Sequence, residues 1–428
     1  MTIFVKQMAN KNSKAFLFIF ITVLVDMMGI GIIIPVLPKL IMELTGSSTG
    51  NGAVYGGILQ ASYAIMLFIA SPIIGGLSDK FGRKPMLILA LAGLGIDYLF
   101  LAFAPTFTFL VIGRVIAGVF GASHSTAMAY VADISEPHER GKNMGMIHAA
   151  FGVGFILGPV IGGIAGDFGT KIPFFVAAGL TLLNMLFGLF VVPESLNKEN
   201  RRNFDWKRAN PFGAIKQAFH YKGLILLLGA IFLMSIAGQV HPSTWTFYTV
   251  HRFGWSAAMI GYSLGVVGLV IAIVQGGLIR KTLPYFGHKK SVYLGLGFTI
   301  FGYLLFANST QPWMMFAFMV PFGLGGLATP AIQGIISNSV PNSEQGEIQG
   351  TIASLMSLSG IIGPLLMTAT FSYFSSEQAP IYFPGAAFAL SALICIIGGA
   401  LIIAALNGRV IDFDEKNKSA PVSPNSKI

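Results

Sequence analysis

The sequence predicts an all-α membrane protein of twelve transmembrane helices, in two six-helix bundles with both termini cytoplasmic. Three observations carry that reading: charge too sparse for a water-facing surface, twelve hydropathic stretches, and an internal repeat. Of 428 residues, 27 are Lys or Arg and 17 are Asp or Glu, so charged residues make up 10%. An average soluble protein has roughly 25%. Hydrophobic residues reach 54%, with 36 Phe, and mean hydropathy is +0.73. This composition excludes a soluble enzyme, a disordered chain and a disulfide scaffold. The single cysteine, Cys395, lies in an apolar run and carries no redox signal.

Stretches long enough for a hydrocarbon core of roughly 30 Å run over 15–37, 52–74, 86–104, 106–131, 143–166 and 173–193. After a polar interval they resume at 223–249, 257–279, 291–308, 312–338, 348–374 and 381–406. The first is too long for a signal peptide, carries Asp26 and lacks a small-residue cleavage site, so it reads as a retained helix. Met8 is an alternative start. The basic residues then orient the chain. All but four of the 27 lie on one side: in 1–14, after the second and fourth spans, in the 196–222 loop, in 280–290 and in the tail. Lys39, Lys171 and Arg252 lie opposite, and Arg114 lies within a span. The positive-inside rule places the basic side in the cytoplasm. The net charge of +10 is thereby a topology signal, and no nucleic-acid partner is expected. The 196–222 loop reads as a solvated linker, with contact to anionic lipid headgroups as the other reading.

The repeat relates the two halves. Phe81-Gly82 recurs as Phe286-Gly287, Lys84 as Lys289, Gly141 and Gly145 as Gly346 and Gly350, and Gly158-Pro159 as Gly363-Pro364, all at one offset. The expected organisation is 1–14 cytoplasmic, 15–195 a first bundle, 196–222 a central loop, 223–406 a second bundle and 407–428 a tail. Transporters built from such repeats bind substrate at the midplane between bundles.

After the second span comes Gly75-Gly76-Leu77-Ser78-Asp79-Lys80-Phe81-Gly82-Arg83-Lys84-Pro85. Its glycines allow a tight turn, while Asp79, Arg83 and Lys84 can pair with helix ends to hold an inward gate closed. The fourth span carries Arg114, Gly118 and Gly121, and the fifth carries Gly154, Gly158, Pro159, Gly162 and Gly163. Small residues of this kind let helices pack closely. Together these segments resemble the signatures of the major facilitator superfamily, and the fifth-span pattern resembles that of its antiporters. Asp26-Met-Met-Gly29-Ile-Gly31-Ile-Ile-Ile-Pro35-Val-Leu-Pro38, Gly238-Gln239, Thr244-Trp245, His251 to Trp255 and Pro330 to Gly334 are similar to tetracycline/proton antiporters. The resemblance implies a proton-coupled exporter in a bacterial cytoplasmic membrane. Tetracycline exporters of this type carry an Asp in the ninth span and a His in the eighth, where this chain has Thr299 and Ile271. Between 206 and 411 the carboxylates are Glu344, Glu347 and Glu377, all in expected loops.

Asp26, Asp97 and Arg114 are the charges deep within expected spans. Each costs roughly 2.5–3.5 kcal/mol at a helix centre, so each needs a partner, water or a proton. A carboxylate that alternates between a dry setting and a nearby cation can load and release a proton. Asp26 is the expected coupling site, with Arg114 as its switchable partner and a static ion pair as the other reading. For Asp97 a coupling or substrate role and a structural one both stand. His124, His148 and His241 read as hydrogen-bonded packing, and no spacing groups them as metal ligands.

In the seventh span Gln239, Ser243 and Thr246 form a polar stripe beside Pro242 and Trp245. In lipid such a stripe faces protein or a cavity. With Gln275, Gln333 and Tyr63 it either lines a cavity for a flat amphiphile or ties helices together. No Gly-x4-Gly-Lys-Ser/Thr loop is present, so ATP is not the energy source by that route. The reading is a proton-coupled antiporter of small amphiphilic compounds, monomeric and without cofactor or metal. The alternatives are an importer on the same fold and, further off, a membrane receptor or enzyme. The first bundle is expected to handle protons, and the second to bind substrate without a charge of its own.

Overall fold

The computed structural model describes residues 2–121, 123–136, 138–206, 221, 223–341 and 344–407, with backbone alone for 2–14 and His124. Most of the central loop (207–220 and 222) and the tail from 408 lie outside the described residues. With no water at membrane depth, each backbone N–H must find its acceptor within its own helix. Among the described residues the regular structure is accordingly all helical, joined by short turns and loops. The first half comprises α1 Thr2–Ile33, α2 Leu37–Thr45, α3 Thr49–Phe81, α4 Arg83–Ala102, α5 Phe107–Phe120, α6 Ser123–Ile134, α7 Arg140–Asp167 and α8 Ile172–Val191. The second comprises α9 Ile225–Gly238, α10 Val240–Phe253, α11 Ala257–Ile273, α12 Ile279–Ala307, α13 Pro312–Leu324, α14 Ala328–Asn338, α15 Gln345–Phe374 and α16 Ala386–Asn407.

Eleven helical segments among the described residues are long and apolar enough to cross a membrane. One of them, Ala257–Ala307, is 51 residues long. At 1.5 Å per residue that is about 76 Å, more than twice the hydrocarbon thickness. It contains the eighth and ninth expected spans, and the expected loop between them is largely helical, broken at Gly287 (φ 71°, ψ 172°). Gly82, the counterpart of Gly287 in the repeat, also has a positive φ, 110°, where α3 passes into α4. Both breaks use a conformation that only glycine adopts cheaply.

Three spans read as continuous are interrupted at membrane depth. The fourth breaks at Gly121, between α5 and α6. The seventh breaks at Gln239, between α9 and α10, three residues before Pro242. The tenth narrows to a 3-10 turn at Gly325–Leu327. A π turn at Val274–Leu278 adds a fourth irregularity at the end of α11.

The helix α7 is packed on two sides by its small residues. Gly154, Gly158 and Gly162 lie against α1, where a Cβ on Gly162 would overlap the Ile32 carbonyl. Gly163 faces the other half, against Ala257 and Ala258, and Gly261 of α11 meets the Pro159 carbonyl. The helix α3 meets α15 in the same way, with Gly57 against Thr368 and Pro364. These contacts between halves lie toward one end. There, Ser372 Oγ lies 3.5 Å from Asn51 Oδ1, and the Ala258 N–H donates to Asp167 Oδ1 at 3.4 Å. At the opposite end, the one bearing Lys80, Arg140 and Lys142, a Cβ on Gly75, Gly141, Gly145, Gly346 or Gly350 would meet no described atom within 4 Å. The halves touch at one end and part at the basic end.

Candidate functional site

Three helices of the first half bring the intramembrane charges together: Asp26 on α1, Asp97 on α4 and Arg114 on α5. The Arg114 guanidinium donates through Nη2 to Asp97 Oδ2 at 2.8 Å. Asp97 is fully buried, while the Arg114 side chain keeps 18% exposure. Asp26 is not the partner of Arg114 in this conformation. It accepts from Ser123 Oγ at 2.7 Å, at the start of α6 just beyond the Gly121 break. The second oxygen of each carboxylate, Asp26 Oδ1 and Asp97 Oδ1, has no hydrogen-bond partner among the described residues. The one cation among these three charges is bonded to Asp97 alone, and Asp26 has a hydroxyl for its partner.

Beside this trio lies a cavity of about 280 Å³, walled by both halves. Arg114 reaches it from one side, 6.0 Å from the Tyr63 ring centroid. Tyr63 and Gln60 line it from α3, Ile30 from α1, Ile34 from the turn after α1, Gln239 from the α9–α10 break and Pro242 from the first turn of α10. The Gln60 amide donates 2.8 Å across the interface to the Pro242 carbonyl. The cavity is mostly apolar with a few convergent polar groups, the composition of a small-molecule site.

A second cavity of about 240 Å³ lies wholly within the second half. Gln275 enters it from the π turn and Gln333 from α14, with Thr299 and Ile271 in the wall. The two glutamines therefore do not share a cavity with Gln239 and Tyr63. The rest of the seventh-span stripe reaches neither. Ser243, Trp245 and Thr246 are buried. Ser243 Oγ donates to the Gln239 carbonyl, and Trp245 Nε1 to Ser263 Oγ at 3.0 Å. Trp245 packs edge-on to Phe306 at 5.1 Å between centroids, and the His241 ring stacks on Phe322 at 4.3 Å. A polar stripe seen from the sequence is here a seam of helix-to-helix packing.

The glycine-rich segment at the basic end, expected as a loop, is helical on both sides of Gly82 and is held by its own half. Arg83 Nη1 bonds both Ser78 Oγ and Asp79, while Arg83 Nε bonds Asp133 Oδ2 at 3.2 Å. Glu194 accepts from the backbone N–H groups of Arg83 and Lys84 at 2.8 and 3.2 Å, at the first turn of α4. A carboxylate there satisfies orphan donors and meets the positive end of the helix dipole. Lys84 Nζ donates to the Leu189 carbonyl at 3.0 Å. Gly75 faces open space, and a Cβ on Gly82 would collide with Glu194.

The model of the Major Facilitator Superfamily matches residues 19–307 and 282–426. The chain belongs to that superfamily. It is 37% identical over 396 residues to the tetracycline resistance protein, class C, of Escherichia coli, covering 92% of this chain and 96% of that one. It is 31% identical over 370 residues to multidrug resistance protein 2 of Bacillus subtilis, covering 84% and 90%. Among solved structures, a bacterial homolog of the human lysosomal transporter Spinster, inward-facing and unoccupied, superposes with a TM-score of 0.76. At 16% identity over 94% of this chain and 98% of that one, it supports the fold alone. The protein is thus a multi-pass membrane transporter.

For this superfamily member, four residues in the geometry escaped the sequence reading. Ser123 is the Asp26 partner, Gln60 bridges the halves, and Glu194 and Asp133 hold the loop. Glu194 lies in Pro193-Glu194-Ser195 just past a span, and a carboxylate beside the basic loop was a legible signal. Serine and glutamine are too common in helices to stand out.

Proposed function

We propose that this transporter is a proton-coupled antiporter that exports small amphiphilic compounds, and that Asp26, Asp97 and Arg114 form its proton relay. One observation carries the relay: a single guanidinium bonded to Asp97 while the nearby Asp26 has only a hydroxyl. Two carboxylates at this depth share one counter-charge, so the one left without it holds the proton. Passage of Arg114 from Asp97 to Asp26 expels that proton, and its return allows reloading. Relatives named for tetracycline and multidrug resistance support export of drug-like molecules. No observation favours import.

The chain crosses the bilayer twelve times, with Ala257–Ala307 contributing two passes, and the basic end lies in the cytoplasm. The bundles 15–195 and 223–406 then form a gap open inward. Arg83, Asp79, Ser78 and Lys84 brace the first bundle through Gly82 and Glu194, so that its helices rock as one body. The cargo enters the cavity beside Tyr63, Gln60 and Gln239. In this reading the transporter works as a monomer and carries no enzymatic activity.

The test is drug susceptibility in a pump-deleted bacterial host, screened across many compound classes including tetracycline. The expected result is a raised inhibitory concentration for some amphiphiles, abolished by Asp26→Asn at equal membrane abundance. No protection against any class by a confirmed membrane-resident protein contradicts export.

A further inference from the structure

The cavity inside the second half differs from the central one in a way that bears on cargo. Among the described residues no charged side chain lines it, and its polar members are Ser235, Gln275, Thr299, Thr329, Gln333 and Tyr303. Thr299 Oγ1 donates to the Gly295 carbonyl at 3.0 Å and the Tyr303 hydroxyl to the Ala237 carbonyl at 3.3 Å. Ser235, Gln275, Thr329 and Gln333 make no hydrogen bond to any described residue. Gln275, Thr329 and Gln333 are exposed and Ser235 half-buried, so the polar side of the cavity is open to water or to a ligand.

The wall is also irregular where it need not be. The π turn Val274–Leu278 carries Gln275, and the 3-10 turn Gly325–Leu327 stands opposite, with Gly326 against the Gln275 side chain. A π turn inside an α-helix often marks a functional position. Here it redirects an amide into the space that the glycines leave. Phe322 and Tyr303 supply ring faces, Met234 and Met356 a deformable floor. The volume, about 240 Å³, is below the roughly 300–1,000 Å³ of a whole drug site, so it fits part of a molecule. The cavity adjoins the central one through the α9–α10 break, where Gly238 lines one and Gln239 the other.

We infer that this second-half cavity is a separate subsite for an uncharged, hydrogen-bonding ring system, and that it turns away any ligand end bearing a full charge. Glutamine amides donate and accept, so they suit a carbonyl, amide or hydroxyl on a flat ring. A cation entering the cavity gives up part of its hydration to the apolar wall and gains no counter-charge. A cargo spanning both cavities therefore presents its neutral end here and any ionised end beside Arg114. The cargo assignment rests on the export reading, but the charge exclusion is a property of the cavity and is tested without transport.

The experiment labels the full-length protein in lipid nanodiscs, on a Cys395→Ala background, with Thr329→Cys as reporter and Gln333→Cys as a second. The probes are a trimethylammonium-ethyl methanethiosulfonate and its neutral dimethylbutyl isostere, and exposed Lys142→Cys is the control. The expected neutral-to-cationic rate ratio at both reporters exceeds that at the control by more than about tenfold. Adding Thr299→Asp, which supplies a counter-charge in the wall, is expected to bring the ratio within about twofold of the control. Equal ratios at reporter and control, or no reaction of either probe at both reporters, overturn the subsite. A ratio untouched by Thr299→Asp overturns its electrostatic cause. If labelling behaves as expected but no compound is exported, the export reading fails and the subsite stands.

Discussion

Arg114 is the residue on which the account turns, because the proposed relay needs its fork to pass from Asp97, where it is seen, to Asp26. An Arg114→Ala change leaves Asp97 buried without a cation, an arrangement that costs roughly 3–5 kcal/mol when a buried pair is broken. Arg114→Lys keeps the charge and loses the fork. Transport is expected to fall more than about tenfold in both variants, and paired melting curves in detergent are expected to show the larger loss of stability for Ala. Equal transport by wild type and Arg114→Lys removes the need for a fork. Glu194 is a different case, since it caps a helix and touches no cargo. Glu194→Gln is expected to lower the melting temperature by only about 1–2 °C, from about 1–2 kcal/mol of lost capping, with little change in which compounds are exported. That three charges lie deep within the spans was legible from the sequence alone. Their pairing was not, because the rotation of α1 and α4 about their axes decides whether Asp26 or Asp97 meets the guanidinium.

At the scale of elements, α7 shows what the repeated small residues accomplish. Three glycines seat it against α1 and one against α11, so the motif joins the first half internally and to its partner. Gly162→Val is expected to abolish stable expression, because a side chain there meets backbone that cannot rotate away. Gly346→Ala, which faces open space, is expected to leave abundance unchanged, as read by quantitative membrane blotting. Twelve hydropathic stretches and the repeat were visible in the sequence, since lipid demands both length and apolarity. The breaks at Gly121, Gln239 and Gly325 were hidden, because a glycine or glutamine inside an apolar run does not by itself interrupt a helix. Trp245 was misplaced for a related reason. Aromatic side chains suit a flat cargo and a packed core equally, and only its neighbours Phe306 and Ser263 show which applies.

The whole molecule is caught with its halves joined at one end and apart at the basic end. Cysteines at Asn51 and Ser372, on a Cys395→Ala background, are therefore expected to cross-link readily under mild oxidation. A pair at Lys80 and Gly346 is expected to stay unlinked until the protein is driven to its other state. Immediate linking of both pairs contradicts a rocking mechanism. The measurement closest to the central claim is uptake of a fluorescent amphiphile into everted membrane vesicles under an imposed proton gradient, acid inside. The account predicts gradient-dependent accumulation by the wild type and none by Asp26→Asn, with Asp26→Glu retaining part. Undiminished accumulation by Asp26→Asn, with the same pH dependence as wild type, contradicts the proton relay.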